Sequence, residues 1–383
     1  MSPELPRSAD IVIIGAGAIG ASIAYQLGRR GARGVVVLER DAVGAGSTSK
    51  AAGGIRVQFA TRVEIELSLR GIAFFKRFED EMGVPCDFHQ EGYLFVVTDE
   101  ATLARFQTNV ALQRSMGADV RLITPDDARA LVPALNVDDA LAAVWGPMDG
   151  HASPNDVVQA YAAQARARGV RVVEDTPVTG IVIERGRVAA VQTPTGTIAT
   201  RLVVNAAGPW APLVGRMVGL ELPVDPRRRH IFVTDVFDGI RHPLPLVTDT
   251  GSGFYCRSEQ GAILMSSGDI GEATEYEARV DWGVLEQAVE KAVRRIPALE
   301  RAQVRHAWAG LRPLTPDGRA ILDWAPGVEG LFLAVGFCGH GFQHSPAVGE
   351  TVAELLLDGR SALDLHDLRL GRFPSLDTAG PGR

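Results

Sequence analysis

Apolar positions along the chain change period several times, and each change marks an element. Ile11–Ile14 is an unbroken β-branched run, the pattern of a short strand. A turn and a helix follow it, and Val35–Leu38 is a second such run. From Thr61 to Met82 the period is helical, GYLFVVT from Gly92 reads as a strand, and Ala101 to Met116 is helical again. TPDDARALVPAL places Thr124 as N-cap and Pro125 at the first helical position. From Gly150 the order is a helix, a strand at Val170 to Glu174, and a three-run meander ending at Leu202 to Ala206. Leu222 to Pro297 holds strands and one helix, and a last strand, Leu331 to Val335, runs through glycines into a long helix. Strands that alternate with helices predict an α/β fold with a parallel sheet. The interrupting segments predict a second, α+β domain inserted into it.

The first junction carries candidate chemistry. Gly15, Gly17 and Gly20 form G-x-G-x-x-G between strand and helix, and Glu39 closes the second strand 24 residues after Gly15. Gly15 permits the tight turn, Gly17 lets backbone approach a pyrophosphate, and Gly20 lets helix pack on strand. The helix start then offers free N–H groups to phosphates, and a carboxylate at 39 accepts ribose hydroxyls. Strand, helix, strand and acid in this order predict a dinucleotide site rather than a plain βαβ unit. After Glu39, GAGSTSKAAGGIRVQF is too rich in Gly and Ala for a strand. It reads as a loop hugging a ligand, with Ser47 and Thr48 as donors and Ala52, Gly53 and Gly54 as bare backbone. A flexible surface loop is the alternative.

Composition narrows the class. With 383 residues, 46% hydrophobic and 22% charged, the chain is globular, and its net charge of −7 argues against a nucleic-acid surface. Lysine occurs only at 50, 76 and 291, so arginine counts carry little meaning by themselves. Cys86, Cys256 and Cys338 are far apart, form no C-x-x-C pair, and fit a reducing, cytoplasmic setting without a zinc site. The N-terminus has no apolar signal region and no stretch reads as a membrane span. His340 and His344 are four apart but lack a third ligand, so no metal is expected.

A second glycine-rich strand-to-helix junction, Gly339, His340, Gly341 and Phe342, decides between nicotinamide and flavin. Only the first junction fits a pyrophosphate, so the second calls for another anion. Reduced flavin is negative over N1 and the C2 carbonyl, and bare amides at a helix start stabilise that charge. Glycines that merely allow close packing are the alternative.

Taken in order, GAGAIG, VVVLER, GSTSKAAGG, VVNAAGPWA, AGLRPLTPDG and GFCGHGFQHSPAVGE resemble the D-amino-acid-oxidase superfamily of FAD-dependent amine and amino-acid oxidoreductases, from about Asp10 to Gly359. Glycine oxidase, the sarcosine oxidases and the β subunits of L-proline dehydrogenase are the members it is most similar to. The resemblance implies a Rossmann-like FAD-binding domain of the glutathione-reductase type, from residues 8–75, 150–215 and 310–362. A mixed-sheet substrate domain would come from 76–149 and 216–309, with a flexible tail at 374–383. It implies that Gly15, Ala16, Gly17, Ala18, Ile19 and Gly20 surround the pyrophosphate and that Glu39 and Arg40 meet the adenosine. Ser47, Thr48, Ala52, Gly53 and Gly54 would serve the pyrophosphate and ribityl region, Val178 the adenine, and Ala207, Gly208 and Trp210 the same cleft. Gly339, His340, Gly341, Phe342 and Gln343 would lie under the isoalloxazine.

The implied reaction moves a hydride from the carbon α to a carboxylate onto flavin N5, which requires a carboxylate clamp. Arg312 in GLRPLTPDG resembles the family's clamp, and its planar guanidinium suits two oxygens at once. Arg56 in GGIRVQF matches an arginine placed over the flavin, with a structural salt bridge as the alternative. Tyr255 is expected to bind the carboxylate from the opposite wall or to be a core aromatic. His340, ordinarily titrating near neutrality, is expected to tune flavin charge or the amine. Gly310 stands where sarcosine oxidases carry a flavin-linking cysteine, and Lys50 where dimethylglycine-dehydrogenase-like members carry a linking histidine. Non-covalent FAD is therefore expected. The oxygen-activating lysine of sarcosine oxidases aligns near Met265 or Ser266, which weakens an oxidase assignment. The expectation is oxidation of a small amino acid or secondary amine to an imine, with oxygen or an electron-acceptor protein receiving the electrons. The alternatives are a catalytic β-type subunit in a hetero-oligomer and a non-catalytic flavoprotein assembly factor.

Overall fold

The runs Ile11–Ile14 and Val35–Leu38 lie side by side as parallel strands, buried throughout, in a computed structural model that describes residues 5–268 and 274–373. They sit in a six-stranded sheet ordered Ile321–Trp324, Leu331–Val335, Val203–Asn205, Ile11–Ile14, Val35–Leu38, Arg171–Val173. Every neighbouring pair is parallel except the first, which is antiparallel at the edge. Burial on both faces explains why these strands read as continuous apolar runs rather than alternating ones. Helices Ala18–Arg29, Pro154–Ala167 and Gly341–Asp358 pack together, the first against both others.

The turn from the first strand to its helix depends on two glycines. Gly15 has φ +100°, and a Cβ there would stand 2.7 Å from the Ala206 carbonyl oxygen. At Gly20 a Cβ would come within 1.9 Å of the Gly15 carbonyl oxygen, so the helix can approach the strand only without a side chain there.

The interrupting segments build an eight-stranded sheet ordered 304–314, 225–234, 262–266, 255–259, 246–249, 93–97, 142–146, 121–123. It is antiparallel apart from the pairing of Leu246–Asp249 with Tyr93–Val97. Strand Val304–Leu314 hydrogen-bonds along Asp225–Thr234 for its whole length, so it runs through the boundary expected at 310. The helical stretch expected over 61–82 is two helices, Arg62–Phe75 and Phe78–Met82. The break lets Phe78 stack on Phe75 at 6.4 Å and reach Tyr161. Of the meander, strands Gly180–Glu184, Arg187–Thr193 and Gly196–Ala199 form a separate small sheet, and the chain then re-enters the parallel sheet at Val203. Thr124 caps its helix with a reciprocal contact from Asp127, as its sequence suggests. Among the described residues no helix is long and apolar enough to cross a membrane. The tail expected at 374–383 lies outside the described residues.

Substituting Gly20 with alanine should lower stability by about 1–3 kcal/mol in urea denaturation, because strand and helix must separate to admit the methyl. An unchanged midpoint would show that this contact does not set the packing.

Candidate functional site

Three turns leave the parallel sheet at the same edge: Gly15–Gly17 after the first strand, Ala206–Gly208 after Asn205, and Gly336–His340 after Val335. With the loop Gly46–Gly54 and the inner face of the eight-stranded sheet they enclose a cavity of about 720 Å³. Its wall includes Gly15, Gly17, Ala18, Ile19, Glu39, Arg40, Ser47, Thr48, Ala52, Gly53, Gly54 and Val178. Further round are Ala207, Gly208, Trp210, Gly339, His340, Gly341, Phe342 and Gln343, together with Arg56, Tyr255 and Arg312. Of the residues singled out in the sequence, Ala16 and Gly20 stand behind this wall. The Ala16 N–H donates to Glu39 Oε2 at 2.7 Å, and Gly20 packs on Gly15.

At one end of the cavity the donors suit an anion. The N–H groups of Gly17 and Ile19 take no acceptor, and Thr48 Oγ1 accepts the Ala18 N–H at 3.0 Å, leaving its own proton free. Ser47 instead donates its proton to the Leu311 carbonyl at 2.6 Å, so toward a ligand it can only accept. Arg40 stacks over Trp210 at 4.2 Å and helps to close the far wall. At the other end, helix Gly341–Asp358 starts on the cavity, and the N–H groups of Gly341, Phe342 and Gln343 take no acceptor. The two helix starts supply donors at two separate places in one cavity, which fits a long ligand with an anionic middle and an electron-rich end. FAD has that shape and charge.

Arg312 projects from strand Val304–Leu314 and forms no hydrogen bond or ion pair with any described residue. Arg56 has no carboxylate partner among the described residues either, so the salt-bridge alternative is not what the structure shows. Its guanidinium donates to the Gln58 carbonyl and to His340 Nε2 at 3.2 Å. It lies 4.0 Å over Phe59, with Phe95 at 5.5 Å and Tyr93 at 5.9 Å. Its backbone is held by Gln343, which accepts the Arg56 N–H and donates to its carbonyl.

One expectation needs correction. Burial, with Arg56, His344 and Arg312 nearby, holds the His340 imidazole well below its ordinary value, so it is neutral and does not titrate near pH 7. Because Arg56 can only donate, His340 Nε2 is the acceptor and the ring proton sits on Nδ1. Tyr255 lines the cavity together with Arg312. Both belong to the eight-stranded sheet, three strands apart, because Tyr255 opens the strand that follows the turn at Gly253.

Sequence reasoning missed Tyr93, Phe95, Thr248 and Arg229 on the wall. The first two had a signal: aromatics at i and i+2 share one face of a strand, and here they stack at 5.0 Å. Asp149 had none. It is fully buried, accepts from the Val57 N–H and the Gln58 amide, and so anchors the segment bearing Arg56. Burial pushes its carboxyl up to about 7. His344 lies within hydrogen-bond distance of the Ser68 hydroxyl and the Gln343 amide, and burial pushes it down to about 3. Cys338 is a packed thiol in contact with Thr315 and Gly336, not a tether. Among the described residues no group of His, Cys, Asp or Glu could hold a metal ion.

Since folded His344 stays neutral while the unfolded imidazole gains a proton below about 6.5, the contribution is present above that pH and lost as pH falls toward 3. His344→Gln should therefore flatten the fall in urea stability between pH 6.5 and 4 by up to about 1.4 kcal/mol per pH unit. A slope equal to wild type would contradict a buried neutral imidazole.

Known proteins share this arrangement. The chain is 31% identical to the mitochondrial sarcosine dehydrogenase of Homo sapiens over 97% of its own length and 42% of that protein. It is 32% identical to FAD-dependent oxidoreductase domain-containing protein 1 of Xenopus laevis, over 96% of this chain and 83% of that one. It thus spans less than half the length of the sarcosine dehydrogenase it matches. Among solved structures, L-proline dehydrogenase from P. horikoshii superposes with a TM-score of 0.90 at 33% identity, covering 97% of this chain and 99% of that one. Glycine oxidase from Geobacillus kaustophilus gives 0.85 at 28% identity, over 95% and 99%. Residues 10–355 match the DAO family, FAD dependent oxidoreductase, and the chain belongs to that family.

Proposed function

We propose that the chain oxidises a small amino acid or secondary amine of the sarcosine, glycine or proline kind to an imine, with the substrate carboxylate held by Arg312. The observation that carries this reading is an arginine in the cavity wall with no protein counter-charge. A half-buried guanidinium with no acid beside it gains most from a carboxylate, which it can grip through two charge-assisted hydrogen bonds. Names of similar proteins support the substrate class: sarcosine dehydrogenase, dimethylglycine dehydrogenase, L-proline dehydrogenase and glycine oxidase.

Bound FAD supplies the hydride acceptor. The chain's own residues do the rest. Gly17, Ile19 and Thr48 are assigned to the pyrophosphate, Glu39 to the ribose, and the N–H groups of Gly341 to Gln343 to the electron-rich end of the flavin. Arg56 and Arg312 place two positive charges beside the substrate, which disfavours an ammonium and so favours the neutral amine that can release hydride. His340 is held neutral and adds no charge of its own. Tyr93, Phe95, Ile231 and Leu246 wall the cavity and exclude water from the reacting carbon. Lys50 and Gly310 replace both kinds of flavin-linking residue, and all three cysteines are buried free thiols, so FAD is assigned as non-covalent. The FAD-binding domain is assigned to 8–75, 150–215 and 315–362 and the substrate domain to 76–149 and 216–314, which keeps strand Val304–Leu314 whole.

The likeness to L-proline dehydrogenase favours a second reading, in which electrons pass to a partner protein rather than to oxygen. Co-purified subunits in the native mass would distinguish the two.

Anaerobic mixing with sarcosine, glycine and L-proline should bleach the yellow protein with at least one of them. Arg312→Ala should weaken the apparent affinity about 100-fold or more while FAD stays bound, since two charge-assisted hydrogen bonds of roughly 1.5–3 kcal/mol each are lost. An unchanged affinity would remove the clamp. Acid precipitation should release all of the FAD into the supernatant; yellow retained in the pellet would mean a covalent link.

A further inference from the structure

A second cavity, of about 340 Å³, abuts the first. The helix Glu100–Ser115 contributes Arg105, Phe106 and Asn109 to it, and Arg56, Phe95 and His340 belong to the walls of both cavities. The partition between them is therefore a few side chains thick. Its centre is the Arg56 guanidinium lying on Phe59, with His340 meeting the same ring edge-on at 4.9 Å.

The charges in the outer cavity do not cancel. Arg319 is engaged by Asp317 at 3.0 Å, and Asp317 also takes Arg372. Glu64 accepts the Thr61 hydroxyl, and burial raises its carboxyl above the ordinary value, which disfavours its negative form. Arg105 is exposed, donates only to Thr102 Oγ1 at 3.3 Å, and makes no ion pair with any described residue. Three arginines without a carboxylate partner thus stand in order: Arg105 in the outer cavity, Arg56 in the partition, Arg312 in the inner cavity.

We propose that the outer cavity is the entrance for the substrate, whose carboxylate passes from Arg105 to Arg56 to Arg312. This rests on the amine-oxidation reading above and adds the route to it. Three guanidinium groups, Arg56, Arg105 and Arg319, outnumber the two carboxyls of Glu64 and Asp317 in the wall of the outer cavity, and a net positive cleft concentrates an anion and raises its association rate. Each guanidinium replaces part of the hydration that the carboxylate sheds as it moves inward, so the anion is never buried bare. Arg56 is suited to the middle step because its present partners are a ring face, a neutral imidazole and one carbonyl. A carboxylate is a stronger acceptor than any of these, so its arrival draws the guanidinium off Phe59 and opens the partition.

The test uses FAD-loaded protein and anaerobic stopped-flow reduction by sarcosine, glycine and L-proline, with FAD content and thermal midpoint recorded for each variant. Arg105→Glu should lower the second-order rate constant for reduction about tenfold and flatten its dependence on NaCl, leaving the rate at saturating substrate within about twofold of wild type. Arg105→Lys should stay within about threefold of wild type. Asn109→Trp, which fills the outer cavity without changing charge, should also lower the second-order constant and spare the saturating rate. The entrance is overturned if Arg105→Glu and Asn109→Trp both keep the wild-type second-order constant and salt dependence, or if they reduce only the saturating rate. Wild-type protein that none of the three amines reduces would instead defeat the functional reading, and the entrance with it.

Discussion

Parallel pairing of Ile11–Ile14, Val203–Asn205 and Leu331–Val335 is the constraint from which the site follows. Parallel strands all end at the same edge of their sheet, so whatever follows them meets there. Here that brings together a turn near residue 15, one near 207 and one near 339. Two of the three lead directly into helices, and the N–H groups of Gly17 and Ile19 at one start and of Gly341 to Gln343 at the other have no acceptor among the described residues; the cavity is the space they share. Segments more than 300 residues apart in the chain are joined in this way by the backbone ladders of three short strands.

The parallel sheet was legible in the sequence because its strands are buried on both faces and its turns need glycine. Those are local demands, and Gly15 and Gly20 meet them with contacts that leave no room for a Cβ. Most of the ligand-facing loop was legible for the same reason. The wall contributed by the eight-stranded sheet was not. Tyr93 and Phe95 mark one face of their strand, but that face, like those bearing Thr248 and Arg229, meets the cavity only through the order of strands in the sheet. His340 was recognised but given the wrong proton affinity, because its neutrality comes from Arg56 and from burial, and neither can be read from the residues beside it in sequence.

Electrostatically the interior divides in two. Where the chain needs rigidity, arginines are paired: Arg295, almost fully buried, is held by Asp249 and Asp139. Where a ligand is to bind, Arg56 and Arg312 are left without acids. An uncompensated cation is costly to bury, and it persists here because aromatic faces, a neutral imidazole and backbone carbonyls moderate the cost until a carboxylate arrives.

The long strand that carries Arg312 is matched one to one with Asp225–Val233 from Leu314 back to His306, with Arg312 opposite Arg227 and Leu311 opposite Arg228, before the register shifts at Thr234. Side chains on a strand alternate between faces, so sliding this strand by a single position would exchange guanidinium for isobutyl at the cavity. On the role proposed for Arg312, recognition of a carboxylate is thus all-or-none with respect to alignment. Insertions or deletions between 234 and 304 are tolerable only if they leave that ladder in step.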